Sequence, residues 1–349
     1  MPAIRPPRAT VNRAGRAPAR RRAAAAILLA LVLAVPAAAQ ISASRGTPKI
    51  ARSAEPAGEW QWTWAGAPLV PVAIDVGVSG QVWIIEGGRH RLIRIDPAEG
   101  TVVPAGGGEG LVQLDLATRV FARSGLKVFT LDPWNAVVAR FDLNGVREER
   151  VELAARLESA GEDLGEAIDF CVDPGGDLFL LDGRRGRILQ FDGSANLREI
   201  LGAAEEFDLR GPVAIEVDAL GRLFVLTNRP AGVAVLQPAG RRFAWRPMPG
   251  GGAEAEGGGR APAYSGLAAD SWGNVFVGDP ANGGVLVLPA GEGEPWRIRT
   301  AENTMRPVDL AWDESGRLLV ADATAAKVLV FLLRYGQPGA GAEDGRPGD

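Results

Sequence analysis

Short runs of mostly apolar residues, separated by polar turns, fill most of the chain between residues 70 and 333. Stretches such as "PVAIDV", "VWIIE" and "RLIRID" are rich in Val, Ile and Leu, and Gly, Asp or Pro residues separate them. Such short runs bounded by turn residues are typical of β-strands. The pattern therefore predicts an all-β protein built from many short antiparallel strands.

The strand pattern occurs six times, and each copy opens with a similar strand. These opening strands read "PVAIDV", "TRVFA", "AIDFCV", "PVAIEV", "SGLAA" and "PVDLAW". A turn with a glycine follows each of them, and the six glycines, spaced 45, 51, 45, 52 and 43 residues apart, are Gly80, Gly125, Gly176, Gly221, Gly273 and Gly316. Repeats of this length are typical of structural units that bury their faces only by stacking on one another.

A fourth strand follows the first three in most units. The candidate fourth strands are "TVVPA", "REERVEL", "LREIL", "RRFAWRP" and "EPWRIRT". Four antiparallel strands in a repeat of about 45 residues are the pattern of a propeller blade. We therefore predict an all-β fold, a six-bladed β-propeller of four-stranded antiparallel blades.

The sixth unit lacks a fourth strand, because the chain after residue 334 is polar and rich in Gly and Pro. Near the other end of the chain, "EWQWTWAG" at residues 59–66 places Trp60, Trp62 and Trp64 at alternate positions, so an extended chain shows three indoles on one side. We predict that this N-terminal strand joins blade six as its outer strand and closes the ring, with the indoles packed between blades. An exposed aromatic surface that binds carbohydrate is the alternative interpretation.

The N-terminal residues have the layout of a secretory signal. Seven arginines and no acid precede the apolar run "AAAAILLALVLAV", and Pro36 and three alanines follow it. We expect a periplasmic or secreted protein without a stable membrane span once the signal is cleaved; an uncleaved anchor and the choice between general and twin-arginine export stay open. The predicted organisation is a signal peptide at 1–39, a linker at 40–57, the propeller at 58–334 and a disordered tail at 335–349.

The charge of the chain bears on the partners it can bind, and its cysteine content bears on disulfide formation. Seven of the 38 basic residues lie in the leader, and without them 31 basic residues face 42 acidic ones, a formal charge of −11. Such an acidic domain is not expected to bind nucleic acid, whose phosphates require a basic surface. Cys171 is the only cysteine, so no intramolecular disulfide can form, and we expect it to be a small buried core residue. We expect a monomer.

Two stretches that follow apolar strands, "EGGRHRLIRID" and "DGRRGRILQFDG", resemble the NHL repeat, whose pattern runs Asp-x-x-Asn-His-Arg-Ile-x-x-Phe. The chain is thus similar to exported bacterial propellers of the NHL and TolB-like kind, although the Asn of the pattern is missing from both stretches. The resemblance implies a scaffold for protein or RNA, or, as in some relatives, a lyase or lactonase. His90, the only histidine, stands at the histidine of the pattern, and we expect it to make a structural contact.

Acidic residues recur where the second strand of each unit ends. These positions hold Glu86, Asp132, Asp182, Thr227, Asp279 and Asp322. In a propeller the first strand begins at the rim where the second strand ends, so the six positions share one rim. Since a carboxylate at a tight turn accepts hydrogen bonds from backbone N–H groups, we interpret the repeated acids as turn-stabilising residues.

The first strands carry a second set of acids, and this set is irregular. Asp75, Asp169, Glu216 and Asp309 share one alternation with small residues, and small residues belong where strands crowd the axis. We therefore expect these four side chains to face the central channel. Arg119 or Thr118 completes the set in the second unit, because a one-residue difference in its turn leaves the register open.

Two functions fit these residues. The first is a binding or scaffolding module for a protein, peptide or small ligand at the acidic rim, overhung by the long connections 152–165, which we expect to contain a short helix, and 250–263. The alternative is a metal-dependent hydrolase or lactonase, because converging carboxylates attract a hard divalent cation such as calcium. Its candidate metal-binding and catalytic residues are Asp75, Arg119, Asp169, Glu216 and Asp309, and no other cofactor is expected.

Overall fold

The computed structural model describes residues 49–64, 66–103, 111–202, 209–237, 242–249, 263–291 and 293–337. The predicted signal peptide, the first half of the predicted linker, the Gly-rich part of the 250–263 connection and the tail beyond residue 337 lie outside the described residues. No helix in the described ranges is both long enough and apolar enough to cross a membrane.

The chain begins with three strands that precede the first repeat, namely β1 (Ile50–Gln61), β2 (Thr63–Trp64) and β3 (Ala67–Pro68). Blade 1 comprises β4 (Pro71–Val76), β5 (Val82–Glu86), β6 (Arg91–Ile95), β7 (Val102–Val103) and β8 (Leu111–Gln113). Blade 2 comprises β9 (Arg119–Phe121), β10 (Lys127–Asp132), β11 (Val137–Asp142) and β12 (Arg147–Glu152), and helix α1 (Leu153–Ser159) follows it. Blade 3 comprises β13 (Ala167–Val172), β14 (Leu178–Asp182), β15 (Arg187–Phe191) and β16 (Leu197–Leu201).

Blade 4 comprises β17 (Pro212–Val217), β18 (Leu223–Asn228), β19 (Ala231–Gln237) and β20 (Arg242–Pro247). Blade 5 comprises β21 (Ser265–Ala269), β22 (Val275–Asp279), the short 3₁₀ helix Pro280–Asn282, β23 (Gly284–Leu288) and β24 (Trp296–Arg299). Blade 6 comprises β25 (Pro307–Trp312), β26 (Arg317–Asp322) and β27 (Lys327–Gly336), with β1 as its outer strand. The fold is the predicted six-bladed propeller of antiparallel sheets, and the first strands of neighbouring blades contact one another around the axis.

Blade 1 differs from the predicted four-stranded pattern in its outer part. The segments β7 and β8 both pair with β6, at opposite ends of that strand. Two short pieces therefore take the place of the single outer strand expected at "TVVPA". The expected fourth strands of blades 2 to 5 are present as β12, β16, β20 and β24.

The N-terminal strand closes the ring as predicted, because β1 pairs antiparallel with β27. It differs in position: the paired segment begins at Ile50, inside the predicted linker, and ends at Gln61. An outermost strand needs its backbone groups for pairing but does not need apolar side chains, and most side chains of β1 are exposed. The polar sequence before Glu59 therefore gave no strand pattern.

Tryptophans of this segment pack between blades 6 and 1. Trp60 and Trp62 lie against the core shared by these two blades, and the Trp62 indole N–H donates to the carbonyl oxygen of Gly100 at 2.7 Å. A β-carbon on Gly100 would overlap the Trp60 ring, at 2.2 Å from the nearest ring atom. This packing confirms the inter-blade interpretation for Trp60 and Trp62, and the side chain of Trp64 lies outside the described residues.

Blade 5 also holds the start of β1. The buried side chain of Asn274 accepts a hydrogen bond from the N–H of Ala51 at 3.0 Å and donates to the carbonyl oxygen of Lys49 at 2.8 Å. The Trp296 indole N–H donates to the carbonyl oxygen of Ala51 at 3.0 Å, and the Lys49 ammonium lies 4.9 Å from the centre of a Trp272 ring. Strand β1 is thus bound to blade 5 as well as to blade 6, and the sequence pattern did not predict the contacts with blade 5.

The hydrophobic core lies mainly between neighbouring blades. Trp83 of blade 1 and Phe141 of blade 2 are buried in one shared cluster, and Phe276 of blade 5 and Phe331 of blade 6 are buried in another. Cys171 is buried in the cluster that joins blades 2, 3 and 4, in agreement with its expected role. Each blade therefore depends on its neighbours for most of its apolar burial.

Candidate functional site

We call the rim at which the first strands begin and the second strands end the upper rim. Its repeated carboxylates are buried and hold the turns, as predicted. Glu86 accepts hydrogen bonds from the N–H groups of Gly88 at 3.0 Å and Arg89 at 2.8 Å, and Asp322 accepts from the N–H of Ala325 at 2.9 Å. Because backbone N–H groups use these carboxylates, the acids that made the rim look acidic in the sequence are not available to a ligand.

The connection from α1 to blade 3 is fixed on the same rim. Asp182 accepts hydrogen bonds from the N–H groups of Gly165 at 3.1 Å and Glu166 at 3.0 Å. The buried Arg187 donates to Asp182 at 3.1 Å and to the Glu162 carboxylate at 3.0 Å. The helix expected in this connection is present as α1, and these contacts make the connection a fixed part of the rim.

Strand pairing shows which residue of blade 2 faces the channel beside the acids. In blade 1, Ala73 pairs with Ile85, the residue before the turn carboxylate, and in blade 2 Arg119 pairs with the corresponding Leu131. Arg119 therefore occupies the position that the sequence left open between it and Thr118. We call the ring of corresponding residues the mouth ring; the five members that pair at this position are Ala73, Arg119, Asp169, Ala214 and Asp309. In blade 5, Ser265 pairs with Gly278, and the sixth member is Gly266, which lies unpaired at the adjoining bulge beside the backbone of Asp309.

The charged residues of the mouth ring form one electrostatic group. The Nε atom of Arg119 lies 3.5 Å from Oδ1 of Asp169, and the two side chains are 34% and 13% exposed. Burial raises the pKa of Asp169 to about 6 and that of Asp309 to about 7, while the positive charge of Arg119 opposes both shifts. The mouth thus holds a partly exposed guanidinium beside Asp169, and its charge acts on two carboxyl groups that change ionisation near neutral pH.

A second charged group lies one layer further down the channel. Arg123 follows the first strand of blade 2; its Nε atom lies 3.1 Å from Oδ1 of Asp75, and its Nη2 group donates to Glu216. Burial raises the pKa of both carboxyls, and Arg123 opposes the shifts. Burial lowers the pKa of Arg123, but the two carboxylates outweigh it and hold that pKa above its ordinary value. Since blade 3 separates blades 2 and 4, the Arg123–Glu216 contact crosses the channel.

Arg123 was not among the channel residues predicted from the sequence. A signal was present, because "FARSG" in the second unit places an arginine directly before the turn, where the first unit has Gly77. That arginine could have been matched to the surplus of channel acids, since a buried carboxylate requires a partner.

Three channel carboxylates also join neighbouring blades. Each accepts a hydrogen bond from a backbone N–H group in, or directly after, the first strand of the next blade. The pairs are Asp309 with Ile74 at 2.9 Å, Asp75 with Ala122 at 2.7 Å and Asp169 with Ile215 at 2.9 Å. The acids expected to face the channel therefore stabilise the contacts between first strands as well as carrying charge.

The channel does not gather its acids around one point. In the ranges that the structure describes, no group of three or more His, Cys, Asp or Glu side chains could hold a metal ion. Asp169 and Asp309 share Arg119, and Asp75 and Glu216 share Arg123, so a cation would meet a guanidinium in either group. Calcium binding by these four acids and Arg119-assisted catalysis therefore stay predictions from the sequence.

The free energy of unfolding should fall as the pH rises from 5 to 8.5. In the unfolded chain the carboxyls of Asp169 and Asp309 titrate near 4, but in the folded chain their pKa values are about 6 and about 7. Between these values the folded protein binds more protons, so this contribution is complete below pH about 4 and is lost as the pH rises through 6 and 7. We expect the Tm to fall by about 2–6 °C over this interval.

Calorimetry of the Asp309→Asn variant tests the origin of that fall. Asn cannot ionise, so the Tm of this variant should depend less on pH than the Tm of the wild-type protein. Asp192→Asn is the matched control, since hydrogen bonds from Asn196 lower the pKa of Asp192 and do not raise it. Equal falls in the wild-type and Asp309→Asn proteins would contradict the assignment.

No family model matches the chain, and no curated protein matches it. Among solved structures, a streptogramin B lyase is 11% identical over 79% of this chain and 98% of its own, with a TM-score of 0.53. A catalytically inactive variant of virginiamycin B lyase from Staphylococcus aureus, with quinupristin, is 12% identical over 82% of this chain and 90% of its own, with a TM-score of 0.53. An auxiliary nutrient binding protein from Bacteroides thetaiotaomicron is 10% identical over 79% and 72%, with a TM-score of 0.54. At these identities, the similarity between this chain and the solved structures is one of fold alone.

Proposed function

We propose that this protein is a binding or scaffolding module whose ligand, a protein, a peptide or a small molecule, binds at the upper rim over the channel mouth. One observation carries the proposal: Arg119 is 34% exposed at the mouth although its Nε atom lies 3.5 Å from the Asp169 carboxylate. A ligand that reaches the rim can therefore contact a guanidinium whose carboxylate partners fix its position.

The distribution of charge around the mouth ring supports the same function. The turn carboxylates stabilise the same turn in each blade, and they recur in five of the six units. The mouth ring breaks this repetition, since its charged members lie in blades 2, 3 and 6 and small residues occupy blades 1, 4 and 5. Small residues suffice for packing in three blades, so the partly exposed charge of Arg119 beside Asp169 is the part of the ring that fits a ligand.

The solved structures of this fold include binding proteins but identify neither a ligand nor its place on this chain. One of them is a nutrient binding protein, and the inactive virginiamycin B lyase was solved with quinupristin. Our chain has one histidine, His90, and it lies in the turn after β5, where its carbonyl oxygen accepts a hydrogen bond from Leu114 at 2.8 Å. It does not belong to the mouth ring, so chemistry that requires an imidazole in the channel is not part of the proposal.

The proposal predicts that Arg119→Met abolishes partner binding without unfolding the protein. Tagged full-length chain, crosslinked in cells and purified from the envelope, should recover a partner at least ten-fold more efficiently than the Arg119→Met variant. Methionine keeps most of the volume and removes the charge. Arg334→Met is the control, because Arg334 is a more exposed arginine with its own carboxylate neighbour, Glu55, on blade 6. Equal recovery by both variants and the wild-type chain would refute the proposal.

Thermal melting separates this function from the metal-dependent alternative. A cation present at about 100 times its Kd should stabilise the native state by about 2.7 kcal/mol. A Tm increase that is specific to calcium, absent with EDTA and lost in Asp169→Asn/Asp309→Asn would favour the hydrolase or lactonase, and an ester and lactone screen would follow. We expect no such increase.

A further inference from the structure

An exposed tryptophan stands on the upper rim of blade 2. Trp134 occupies the turn between β10 and β11 and is 83% exposed. The turn is well fixed, because Asp132 accepts hydrogen bonds from the N–H groups of Trp134 at 3.0 Å and Asn135 at 3.1 Å, and from the Asn135 side chain at 2.7 Å. The Trp134 indole does not belong to the hydrophobic core, and an exposed tryptophan in a fixed turn is typical of a binding surface.

A second exposed apolar residue belongs to the same corner of the propeller. Leu116 is 42% exposed and lies in the connection that leads into β9 and Arg119. This connection approaches the turn from one side, since the N–H of Thr118 donates to the carbonyl oxygen of Leu131 at 3.0 Å, three residues before Trp134. From the other side, the N–H of Leu153 at the start of α1 donates to the carbonyl oxygen of Ala136 at 2.9 Å.

We call this region the blade 2 corner; it comprises the connection 114–118, the turn 133–136 and the segment 152–166. Its charged side chains are mostly acidic. The acids are Asp115, Glu152, Glu158, Glu162, Asp163 and Glu166, and the corner's own basic residue is Arg156. Arginines of β12, β15 and the turn before β15 neutralise some of them, since Arg150 lies near Asp115 and Glu152, and Arg185 and Arg187 pair with Asp163 and Glu162.

Charge complementarity favours a basic partner at this corner. Glu158 and Glu166 are exposed on the segment beside the turn, and the chain without its leader has a formal charge of −11. An acidic domain attracts cationic segments and raises their rate of association. A tryptophan that is both exposed and fixed can supply the apolar anchor and can also stack with a lysine or arginine of the partner.

We propose that the blade 2 corner binds a basic peptide segment of a partner protein, with an apolar side chain of that segment seated on Trp134 and Leu116. This inference rests on the proposed function and names the chemistry of its ligand. Lysine or arginine residues of the segment face the acids of α1 and its connection.

The experiment measures fluorescence anisotropy of a labelled peptide with alternating lysine and leucine, titrated with the full-length chain. Two control peptides replace every lysine by glutamate or every leucine by serine. We expect the lysine and leucine peptide to bind at least ten-fold more tightly than either control, and its Kd to increase with salt. Trp134→Ala should raise the Kd of this peptide at least ten-fold, and Glu158→Lys/Glu166→Lys should raise it further at low salt.

Leu126→Ala is the matched control variant, because Leu126 is 63% exposed in the β9–β10 turn, on the rim opposite the blade 2 corner. It should bind the peptide like the wild-type chain. Equal binding by the Trp134→Ala and wild-type chains would overturn the inference, as would binding of a labelled oligosaccharide in place of the peptide. If the peptide fails to bind while Arg119→Met still loses the envelope partner, the ligand chemistry is wrong and the binding function of the rim stands.

Discussion

Deleting residues 49–61 should abolish the cooperative thermal transition of the propeller. The deletion removes β1, which supplies the outer strand of blade 6 and leaves the edge of β27 unpaired along most of its length. It also removes Trp60, whose ring packs against Gly100 between blades 6 and 1. Because each blade buries its apolar faces on its neighbours, the loss should spread around the ring. Calorimetry and near-ultraviolet circular dichroism measure it.

A milder variant tests the same closure without shortening the chain. Asn274→Ala leaves the buried N–H groups of Ala51 and Ala290 without their acceptor and frees the carbonyl oxygen of Lys49. Each unsatisfied buried group costs about 1–3 kcal/mol, so we expect a total loss of about 2–5 kcal/mol. Glu55→Ala is the control, since the Glu55–Arg334 pair on β1 is exposed and should contribute little. For the deletion of residues 49–61, a protein that stays monomeric with an unchanged Tm would refute the closure of the ring by β1.

Arg123→Met should be the most damaging single substitution in the channel. It leaves the buried carboxylates of Asp75 and Glu216 without a cation, and removing one partner of a buried ion pair costs about 3–5 kcal/mol. The loss should be larger at pH 8 than at pH 5.5. Burial already raises the pKa of both carboxyls, and without Arg123 these values rise further, so stability is lost as the pH rises.

Denaturant unfolding at the two pH values measures this effect. Adding Glu216→Gln to Arg123→Met removes one of the stranded charges, so the double variant should recover part of the loss at pH 8 and little at pH 5.5. Arg150→Met, whose side chain is 43% exposed, should cost less than about 1 kcal/mol at either pH. A loss from Arg123→Met that does not depend on pH would mean that packing, and not charge, explains the role of Arg123.

The candidate site shows how far a repeated sequence can be interpreted. Asp169 and Asp309 were predicted to face the channel because they fall on the alternation of small residues, and the structure places both in the mouth ring. The choice between Arg119 and Thr118 required the pairing of Arg119 with Leu131. A turn of different length shifts the register by one residue, and a one-residue shift reverses the face of every side chain.

The sequence by itself determined the number of blades and their antiparallel strands, because each unit repeats a local pattern of apolar runs and turns. It also predicted the closure, because the sixth unit lacks a fourth strand and the tryptophans at alternate positions near the N-terminus indicated one. Only the tertiary structure decided that Arg123 crosses from blade 2 to Glu216 in blade 4, and that Asn274 of blade 5 holds the start of β1. These contacts join residues 93 and 223 positions apart. No local pattern records them, because they exist only when the ring brings its blades around one axis.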